Sequence, residues 1–255
     1  MSPTDDRLSF LFPMWNEEAM IRRTLTAAGE CGNRLRADGR IGSYEIVVVD
    51  DASTDGTGKI ADELADDDPR IVVVHHPENR KLGGAVRSGF GAASGDLVLY
   101  TDADLPCDLA EADKALRLLR LYEADIVSAY RFDRTAEGVR RTVYSFVYNH
   151  LVRWTLGVRV RDVNFAFKLV RRRVLDHVEL VSEGSFIDAE LVAKAHRRGF
   201  RIVQFGVDYI ARTRGTSTLS SPAIIGKILR ELRALYPEIR RVDRLPPAAL
   251  EADRA

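Results

Sequence analysis

Cysteine is scarce in this 255-residue sequence, which contains only Cys31 and Cys107, far apart from each other. This scarcity excludes a disulfide framework, and the spacing does not match a structural zinc site. The sequence also lacks the run of about 18 apolar residues that a membrane-spanning helix needs. Its first ten residues show no basic region followed by a long apolar stretch. We therefore expect no spanning helix, no secretory signal peptide and a reducing, cytoplasmic location.

A net charge is absent as well, because 38 Lys and Arg balance 38 Asp and Glu. The balance hides two unlike regions. Residues 1–130 contain 14 basic and 24 acidic residues, whereas residues 131–173 contain 11 basic and 3 acidic residues. The basic region lacks the interleaved aromatics and glycines of a surface that binds single-stranded nucleic acid, so we do not expect a nucleic acid partner. We expect it to bind phosphate groups of a small substrate or a membrane surface.

Short β-branched runs alternate with helical patterns along the chain, which predicts an α/β fold with a mainly parallel central sheet. We predict strands near residues 8–12, 44–50, 70–75, 96–101, 124–130, 164–170 and 201–210. We predict helices near residues 17–36, 56–67, 82–93, 108–121, 138–156, 186–198 and 222–236. The patterns indicate one domain over residues 1–219, an amphipathic helix within residues 220–240 and a disordered Pro/Ala-rich tail over residues 241–255.

Acidic residues follow two predicted strands, at the edge where parallel sheets bind their ligands. Asp50 and Asp51 end the apolar run VVV, and two adjacent acids exceed what the cap of the next helix requires. We predict that Asp51 recognises a base or a ribose, while Asp55 serves as a helix cap. Asp102 and Asp104 point to the same side of an extended segment and are expected to hold Mg²⁺ or Mn²⁺ that bridges to substrate phosphates. A solvated acidic turn is the alternative.

The order of motifs resembles that of family 2 glycosyltransferases. In the first half, the motifs are PMWNEE (13–18), VVVDDASTDGT (47–57), NRKLGGAVRSGFGAASGD (79–96) and DADLP (102–106). The second half adds SAYRF (128–132), DVNFAFKLV (162–170), SFIDAEL (185–191) and RTRGTSTL (212–219). Within the family, the chain is most similar to the dolichol-phosphate mannose synthases and related bacterial polyprenyl-phosphate glycosyltransferases. The resemblance implies a GT-A fold, in which residues 1–130 bind a nucleotide-sugar and residues 131–219 bind the acceptor.

The resemblance also implies the residues of the donor site. Those expected to bind the nucleotide-sugar are Pro13, Trp15, Glu17, Val49, Asp51, Lys81, Asp102, Ala103 and Asp104. Trp15 stands where the family usually has Tyr and still offers an aromatic surface. Pro106 stands where the mannose synthases often have Gln, and because proline cannot ligate a metal, we expect water there. His75 and His76 are interpreted as the exit of a strand, without a catalytic role.

For the acceptor side, the resemblance implies that Arg131 and one of Arg140 and Arg141 hold an acceptor phosphate, and that Arg212 and Arg214 clamp the leaving diphosphate. The catalytic residues are then expected to be Asp104, Asp188, Arg212 and Arg214.

The expected reaction is inverting transfer of a sugar from GDP-mannose or a UDP-sugar to a polyprenyl or dolichyl phosphate. That acceptor is already anionic and needs no base. The alternative is a hydroxyl acceptor, a glycan or a natural product, with Asp188 or Glu190 as the general base.

Two further functions fit the sequence less well. A sugar nucleotidyltransferase would have a Gly-rich arginine loop near its N-terminus, and PMWNEE is not one. A catalytically inactive nucleotide-sugar binder is disfavoured by the presence of both Asp102 and Asp104. The basic region and the helix within residues 220–240 are expected to meet the inner face of a membrane, although packing of that helix on the core is the alternative. We make no prediction of a protein partner.

Overall fold

A computed structural model describes residues 5–132, 139–210 and 222–251, without the side chains of residues 139–145, 222–225, 227, 228 and 251. The strands of this part of the chain are β1 (Arg7–Met14), β2 (Ser43–Asp50), β3 (Ile71–His75), β4 (Leu97–Thr101), β5 (Ile126–Arg131), β6 (Phe167–Arg171) and β7 (Ile202–Val207). Its helices are α1 (Ile21–Ala37), α2 (Thr57–Asp67), α3 (Lys81–Ala92), α4 (Glu111–Leu121), α5 (Val139–Leu156), α6 (Arg172–His177), α7 (Ile187–Arg198), α8 (Pro222–Arg241) and α9 (Pro247–Glu251).

The strands form one seven-stranded sheet in the order β3-β2-β1-β4-β6-β5-β7. All neighbours are parallel except β6, which runs antiparallel to both β4 and β5. The predicted α/β fold with a mainly parallel sheet is confirmed. In the register of the sheet, Met14 lies beside Asp50, and Leu11 lies beside Tyr100. The carboxyl ends of β2, β1 and β4 therefore lie next to one another along one edge.

Helices cover both faces of the sheet, so successive residues of a central strand are buried against different helices. On one face, Phe10, Ile46 and Leu99 pack against α1 and α4. On the other face, Leu11, Val47 and Val98 pack against α3 and α7. This two-sided burial explains why the sequence of β2 shows an unbroken apolar run.

A third cluster joins α5, α7 and α8, away from the centre of the sheet. Val152, Phe186 and Leu232 are buried in it, and Ile239 is fully enclosed. The predicted helix within residues 220–240 is present, and its C-terminal half packs on the domain. Leu229 remains exposed, whereas the side chains of Ile224, Ile225 and Ile228 lie outside the described residues.

The prediction of a disordered tail is wrong for residues 245–250. The backbone N–H of Leu245 donates to the carbonyl of Arg198, and Leu250 is buried against the second face of the sheet. Arg173 donates to the carbonyl of Leu250. Two apolar residues and two backbone contacts thus hold a Pro/Ala-rich segment, and Pro247 suits the first position of the short α9.

Two other features differ from the predicted elements. The sequence pattern does not predict α6, which directly follows β6, because six residues are too few to show a helical period. The helix α1 begins at Ile21 and not at residue 17, because residues 15–18 form a turn that is bonded to the segment after β2. Within the described ranges, none of the helices is both apolar and long enough to cross a bilayer.

Candidate functional site

The carboxyl ends of β1, β2 and β4 bring most of the predicted donor-binding residues to one edge of the sheet. Val49 and Asp51 come from β2 and its exit, Pro13 and Trp15 from β1 and its exit, and Asp102 to Asp104 follow β4. Because neighbouring strands lie about 4.8 Å apart, the ends of β2 and β4 are separated by about 10 Å across β1. A ligand with an aromatic ring at one end and phosphates at the other fits such a row. Trp15 is exposed at this edge.

The turn after β1 and the turn after β2 hold each other in place. Asn16 has a φ of 56°, and its Oδ1 accepts the N–H of Thr54 at 2.7 Å. The N–H of Glu17 donates to Oγ1 of Thr57 at 2.8 Å. Glu17 therefore lies beside the start of α2, at the expected edge of the site. These contacts cross-link the two turns at the edge where the nucleotide-sugar is expected.

Asp55 lies in the same turn, one residue before Gly56, which occupies the N-cap position of α2. Its Oδ1 accepts the N–H of Thr57 at 2.9 Å, at the start of α2. Partial burial acts to raise the pKa of Asp55, but hydrogen bonds from Thr57 and Glu18 outweigh it and lower this pKa below its ordinary value. Asp55 is thus kept ionised at the positive end of a helix.

Asp50 and Asp51 are both buried, and each is bonded to a histidine at the end of β3, Asp50 to the last strand residue His75 and Asp51 to the next residue His76. Nδ1 of His75 lies 2.9 Å from Oδ2 of Asp50, and its Nε2 lies 2.9 Å from Oδ1 of Asp62. Burial alone would raise the pKa of Asp50, but hydrogen bonds from Ser53 and His75 lower it overall. The pKa of His75 is raised, first by Asp62 and then by Asp50.

Asp51 is the better placed of the two for recognising a ligand. Its Oδ1 accepts the N–H of Arg80 at 2.7 Å and lies 2.7 Å from Nδ1 of His76. Its Oδ2 has no hydrogen-bond partner in the part of the chain that the structure describes. The interpretation of His75 and His76 as a strand exit was correct for the backbone but missed their side-chain contacts. No local pattern shows that the two histidine side chains at the end of β3 reach the two aspartate side chains at the end of β2.

Asp102 and Asp104 follow β4 and are half-buried, while Ala103 between them is buried. Residues 102–105 form a turn and not the extended segment that was expected, so strand geometry does not place both carboxylates on one side, and their shared direction stays a prediction. The carbonyl of Ala103 accepts the hydroxyl of Thr24 at 2.5 Å, and the N–H of Leu105 donates to the carbonyl of Asp102 at 3.1 Å. The segment is therefore fixed from beneath by α1 and closed by a turn.

These residues fit a divalent cation of the Mg²⁺ or Mn²⁺ type. Two carboxylates from one short segment supply oxygen ligands, which these ions prefer. Within the described residues, no group of three or more Asp, Glu, His or Cys side chains has the geometry of a metal centre. The expectation that water and substrate phosphates complete the coordination beside Pro106 stays a prediction. The carbonyl of Pro106 accepts the N–H of Ile210, which anchors Ile210 to this loop.

Lys81 is the first residue of α3, is exposed and has a φ of 60°. The start of this helix packs closely on the segment before α7, because the N–H of Gly83 donates to the carbonyl of Glu183. A Cβ atom at Gly83 would lie 2.3 Å from the carbonyl oxygen of Ser182. Lys81 therefore stands where the two predicted halves of the molecule meet, and its contact with a phosphate stays a prediction.

The two acids of the SFIDAEL motif lie on α7, and both are buried in ion pairs. Oδ1 of Asp188 lies 2.6 Å from Nζ of Lys168, which is fully enclosed. Burial raises the pKa of Asp188 even though Lys168 acts in the opposite direction. Glu190 accepts the N–H groups of Val181 and Ser182 at 3.0 and 2.8 Å and pairs with Lys194 at 2.7 Å. These contacts favour a structural role for Glu190 over the alternative of a general base.

Arg131, expected to hold an acceptor phosphate, is paired with Asp162. Its Nε lies 2.8 Å from Oδ2, and its Nη2 lies 3.1 Å from Oδ1, so the contact is bidentate. The guanidinium also lies over the rings of Phe165 and Tyr209, and the side chain is almost fully buried. In this conformation Arg131 shapes the wall of the site, and a phosphate would have to compete with Asp162.

The other predicted arginines cannot be placed. Arg140 and Arg141 belong to α5, but their side chains lie outside the described residues. Arg212 and Arg214 lie outside them entirely.

Residues 9–179 match the family description "Glycosyl transferase family 2". A polyprenol monophosphomannose synthase from Mycolicibacterium smegmatis is 35% identical over 192 residues, 70% of this chain and 71% of that protein. An undecaprenyl-phosphate mannosyltransferase from Micrococcus luteus is 29% identical over 231 residues, 87% of this chain and 90% of that protein. The glycosyltransferase AglD from Haloferax volcanii is 34% identical over 208 residues, which are 79% of this chain but 33% of AglD. The chain thus spans a third of that relative.

Solved structures with a similar fold hold sugar nucleotides and manganese. The mannosyltransferase PcManGT from Pyrobaculum calidifontis, in complex with GDP-Man and Mn²⁺, has a TM-score of 0.66 at 21% identity and covers 98% of this chain and 69% of PcManGT. A glucosyl-3-phosphoglycerate synthase from Mycobacterium tuberculosis, in complex with Mn²⁺, UDP-Glc and phosphoglyceric acid, has a TM-score of 0.66 at 21% identity and covers 95% and 82%. At these identities the likeness shows the fold.

Proposed function

Because this chain belongs to glycosyl transferase family 2 and is a glycosyltransferase, we propose that it transfers a sugar from GDP-mannose or a UDP-sugar to a polyprenyl phosphate, with inversion. The observation that carries the proposal is the row of strand ends in which Asp51, Trp15 and the Asp102–Asp104 segment share one edge. The proposed donor lies along this row, with its base at Asp51 and its diphosphate at Asp102 and Asp104.

The lipid phosphate is proposed as the acceptor because it needs no general base. A phosphate monoester has its second pKa near about 6 and is already anionic at neutral pH. A sugar hydroxyl would require a carboxylate to take its proton. Of the two candidate general bases, Glu190 already accepts two backbone hydrogen bonds and pairs with Lys194, and Asp188 is paired with Lys168. The names of the mannosyltransferase relatives support the same acceptor class.

In the proposed reaction, an oxygen of the acceptor phosphate attacks the anomeric carbon from the face opposite the nucleotide. The bond from that carbon to the β-phosphate oxygen breaks, and its electron pair leaves with the nucleoside diphosphate. A divalent cation held by Asp102 and Asp104 would supply charge neutralisation on the diphosphate. Arg212 and Arg214 are proposed to bind the same leaving group, Arg140 or Arg141 the acceptor phosphate, and Asp188 to orient sugar hydroxyls through its fixed carboxylate.

We further propose that residues 1–219 act as one domain, with the donor in the first half and the acceptor in the second. A lipid acceptor places the enzyme at the inner face of a membrane, and residues 131–173 supply 11 basic residues against 3 acidic ones for that contact. Flotation with liposomes that contain anionic lipid tests this placement. Absence of the protein from the lipid fraction would contradict it.

The donor site is tested by calorimetry with GDP and UDP, with and without Mn²⁺, on the wild type, Asp104→Asn and Asp67→Asn. Asp67 is an exposed acid at the end of α2 and controls for loss of one negative charge. We expect metal-dependent binding of one nucleotide, which Asp104→Asn loses and Asp67→Asn keeps. If the wild type binds neither nucleotide, the proposal fails.

The acceptor is tested separately, by following transfer of labelled sugar from the nucleotide-sugar that binds. Undecaprenyl phosphate should accept the sugar, whereas undecaprenol, which lacks the phosphate, should not. Transfer to a free glycan hydroxyl and not to the lipid phosphate would replace the lipid acceptor with the hydroxyl alternative while leaving the donor site intact.

A further inference from the structure

The carboxylate of Asp51 is held on one side by the segment that links β3 to α3. His76 approaches Oδ1 with its Nδ1 at 2.7 Å, and the backbone N–H of Arg80 donates to the same oxygen at 2.7 Å. The side-chain amide of Asn79 donates to the backbone carbonyl of Asp51 at 3.1 Å. Three contacts from residues 76–80 therefore fix the backbone carbonyl and one carboxylate oxygen of Asp51.

His76 is itself fixed at its other nitrogen. Its Nε2 lies 2.8 Å from Oγ of Ser88 on α3, and its side chain is almost fully buried. A carboxylate accepts hydrogen bonds, so Nδ1 of His76 must carry a proton, while the hydroxyl of Ser88 can donate to Nε2 or accept from it. The ring is thus a rigid bridge between α3 and Asp51, and it sets the direction of the carboxylate plane.

Two donors on Oδ1 leave Oδ2 as the atom of Asp51 that a ligand can use. A carboxylate oxygen accepts a hydrogen bond from a ring N–H and repels a ring nitrogen that carries a lone pair. Guanine offers such an N–H at N1 and uracil at N3, whereas adenine N1 and cytosine N3 are acceptors. A fixed Oδ2 therefore distinguishes guanine and uracil, which carry a hydrogen on this ring nitrogen, from adenine and cytosine, which do not.

We propose that His76 is a positioning residue for base selectivity: through Nδ1 it turns Oδ2 of Asp51 toward the ring N–H of guanine or uracil and so excludes adenine and cytosine nucleotides. The inference rests on the proposed function, because it takes Asp51 as the residue that meets the base. It adds a residue of the β3–α3 segment to a site that the motifs place at the ends of β1, β2 and β4.

Two nearly isosteric variants separate this role from a purely structural one. His76→Asn places an amide N–H near the position of Nδ1 and keeps a donor for Asp51. His76→Gln places its amide near the position of Nε2, so it keeps a partner for Ser88 and removes the donor for Asp51. The same pair of substitutions at His196, an exposed residue of α7, controls for loss of an imidazole.

The measurement is the ratio of dissociation constants within two matched pairs, CDP to UDP and ADP to GDP, by calorimetry with Mn²⁺ present. For the pair that contains the preferred nucleotide, the wild type and both His196 variants should show a ratio of about 100, the order expected for a hydrogen bond to a charged group. His76→Asn should stay within about threefold of the wild type, and His76→Gln should lower the ratio about tenfold.

Equal ratios in His76→Asn and His76→Gln, whether both retained or both lost, would overturn the inference while leaving the donor site standing. Absence of nucleotide binding by the wild type would overturn the proposed function, and this inference with it. A second measurement needs no variant: a long-range ¹H–¹⁵N spectrum of the wild type should show Nδ1 of His76 protonated. An unprotonated Nδ1 would contradict the proposed contact.

Discussion

The two halves of this molecule use charged residues in opposite ways. In residues 5–130, acids at the ends of β2 and β4 line one edge of the sheet, and their neighbours are turns and two histidines. In residues 131–210, the charged side chains named by the motifs are buried in pairs, as Lys168 with Asp188, Glu190 with Lys194 and Arg131 with Asp162. Burial alone does not separate the two groups, because Asp51 and Asp188 are each 3% exposed. The partners differ, since Asp188 pairs with a lysine whereas Asp51 is held by His76 and a backbone N–H.

The largest expected effect breaks a buried pair of the second half. Lys168→Met leaves Asp188 without its partner in an enclosed site, and removal of one member of a buried ion pair costs about 3–5 kcal/mol. Chemical denaturation should show a loss of that size in the free energy of unfolding. Lys168→Met combined with Asp188→Leu removes both charges and should recover most of the stability. If the single variant is as stable as the wild type, the pair does not stabilise the fold.

The second effect sharpens the contrast, because it should change activity and not stability. Asp102→Asn removes a charge from a half-buried segment that is fixed by backbone contacts. We expect kcat/KM for sugar transfer to fall about 100-fold or more, because metal-assisted charge neutralisation contributes several kcal/mol. The free energy of unfolding should change by less than about 1 kcal/mol. Full activity in this variant would remove Asp102 from the metal site.

A third, smaller effect tests the structural role of Glu190. In Glu190→Gln, the amide NH₂ replaces one acceptor for the N–H groups of Val181 and Ser182, which leaves a buried donor unsatisfied at a cost of about 1–3 kcal/mol. The free energy of unfolding should fall by that amount, while the pH profile of kcat/KM keeps its shape. Loss of the acidic limb of that profile would instead indicate that Glu190 acts as a base.

The smallest expected effect concerns the pH dependence of stability at the ends of β2 and β3. The pKa of His75 is raised in the folded state by Asp62 and Asp50, so protonated His75 stabilises the fold. This contribution is complete below the unfolded pKa of about 6.5 and is lost as the pH rises through the higher folded pKa. Because the side chain of His75 is 43% exposed, screening keeps the contribution below about 1 kcal/mol. His75→Gln should flatten the stability curve in that range, and an unchanged slope would contradict the contact.

The pattern of β-branched runs and amphipathic segments predicts most of the fold. Both faces of the central strands are buried, so these strands are apolar at successive positions and can be recognised without an alternating pattern. Val47 and Val48 face different helical layers, and their sequence shows it as an unbroken apolar run. Hydrophobic periodicity does not predict α6 and α9, since segments of six and five residues are too short to show a helical period.

The sequence by itself determined that acids stand at the exits of β2 and β4, because a strand's end and the next turn are local features. It also determined a mainly parallel sheet, which brings those exits to one edge. Only the tertiary structure decided which side chains pair with the acids. His76 reaches Asp51 and Lys168 reaches Asp188 across 25 and 20 residues of chain, and such pairings depend on which strands and helices become neighbours. The partner then distinguishes the buried acids, because an enclosed charge must be paired. Asp188 neutralises Lys168, whereas Asp51 is held by His76 and a backbone N–H.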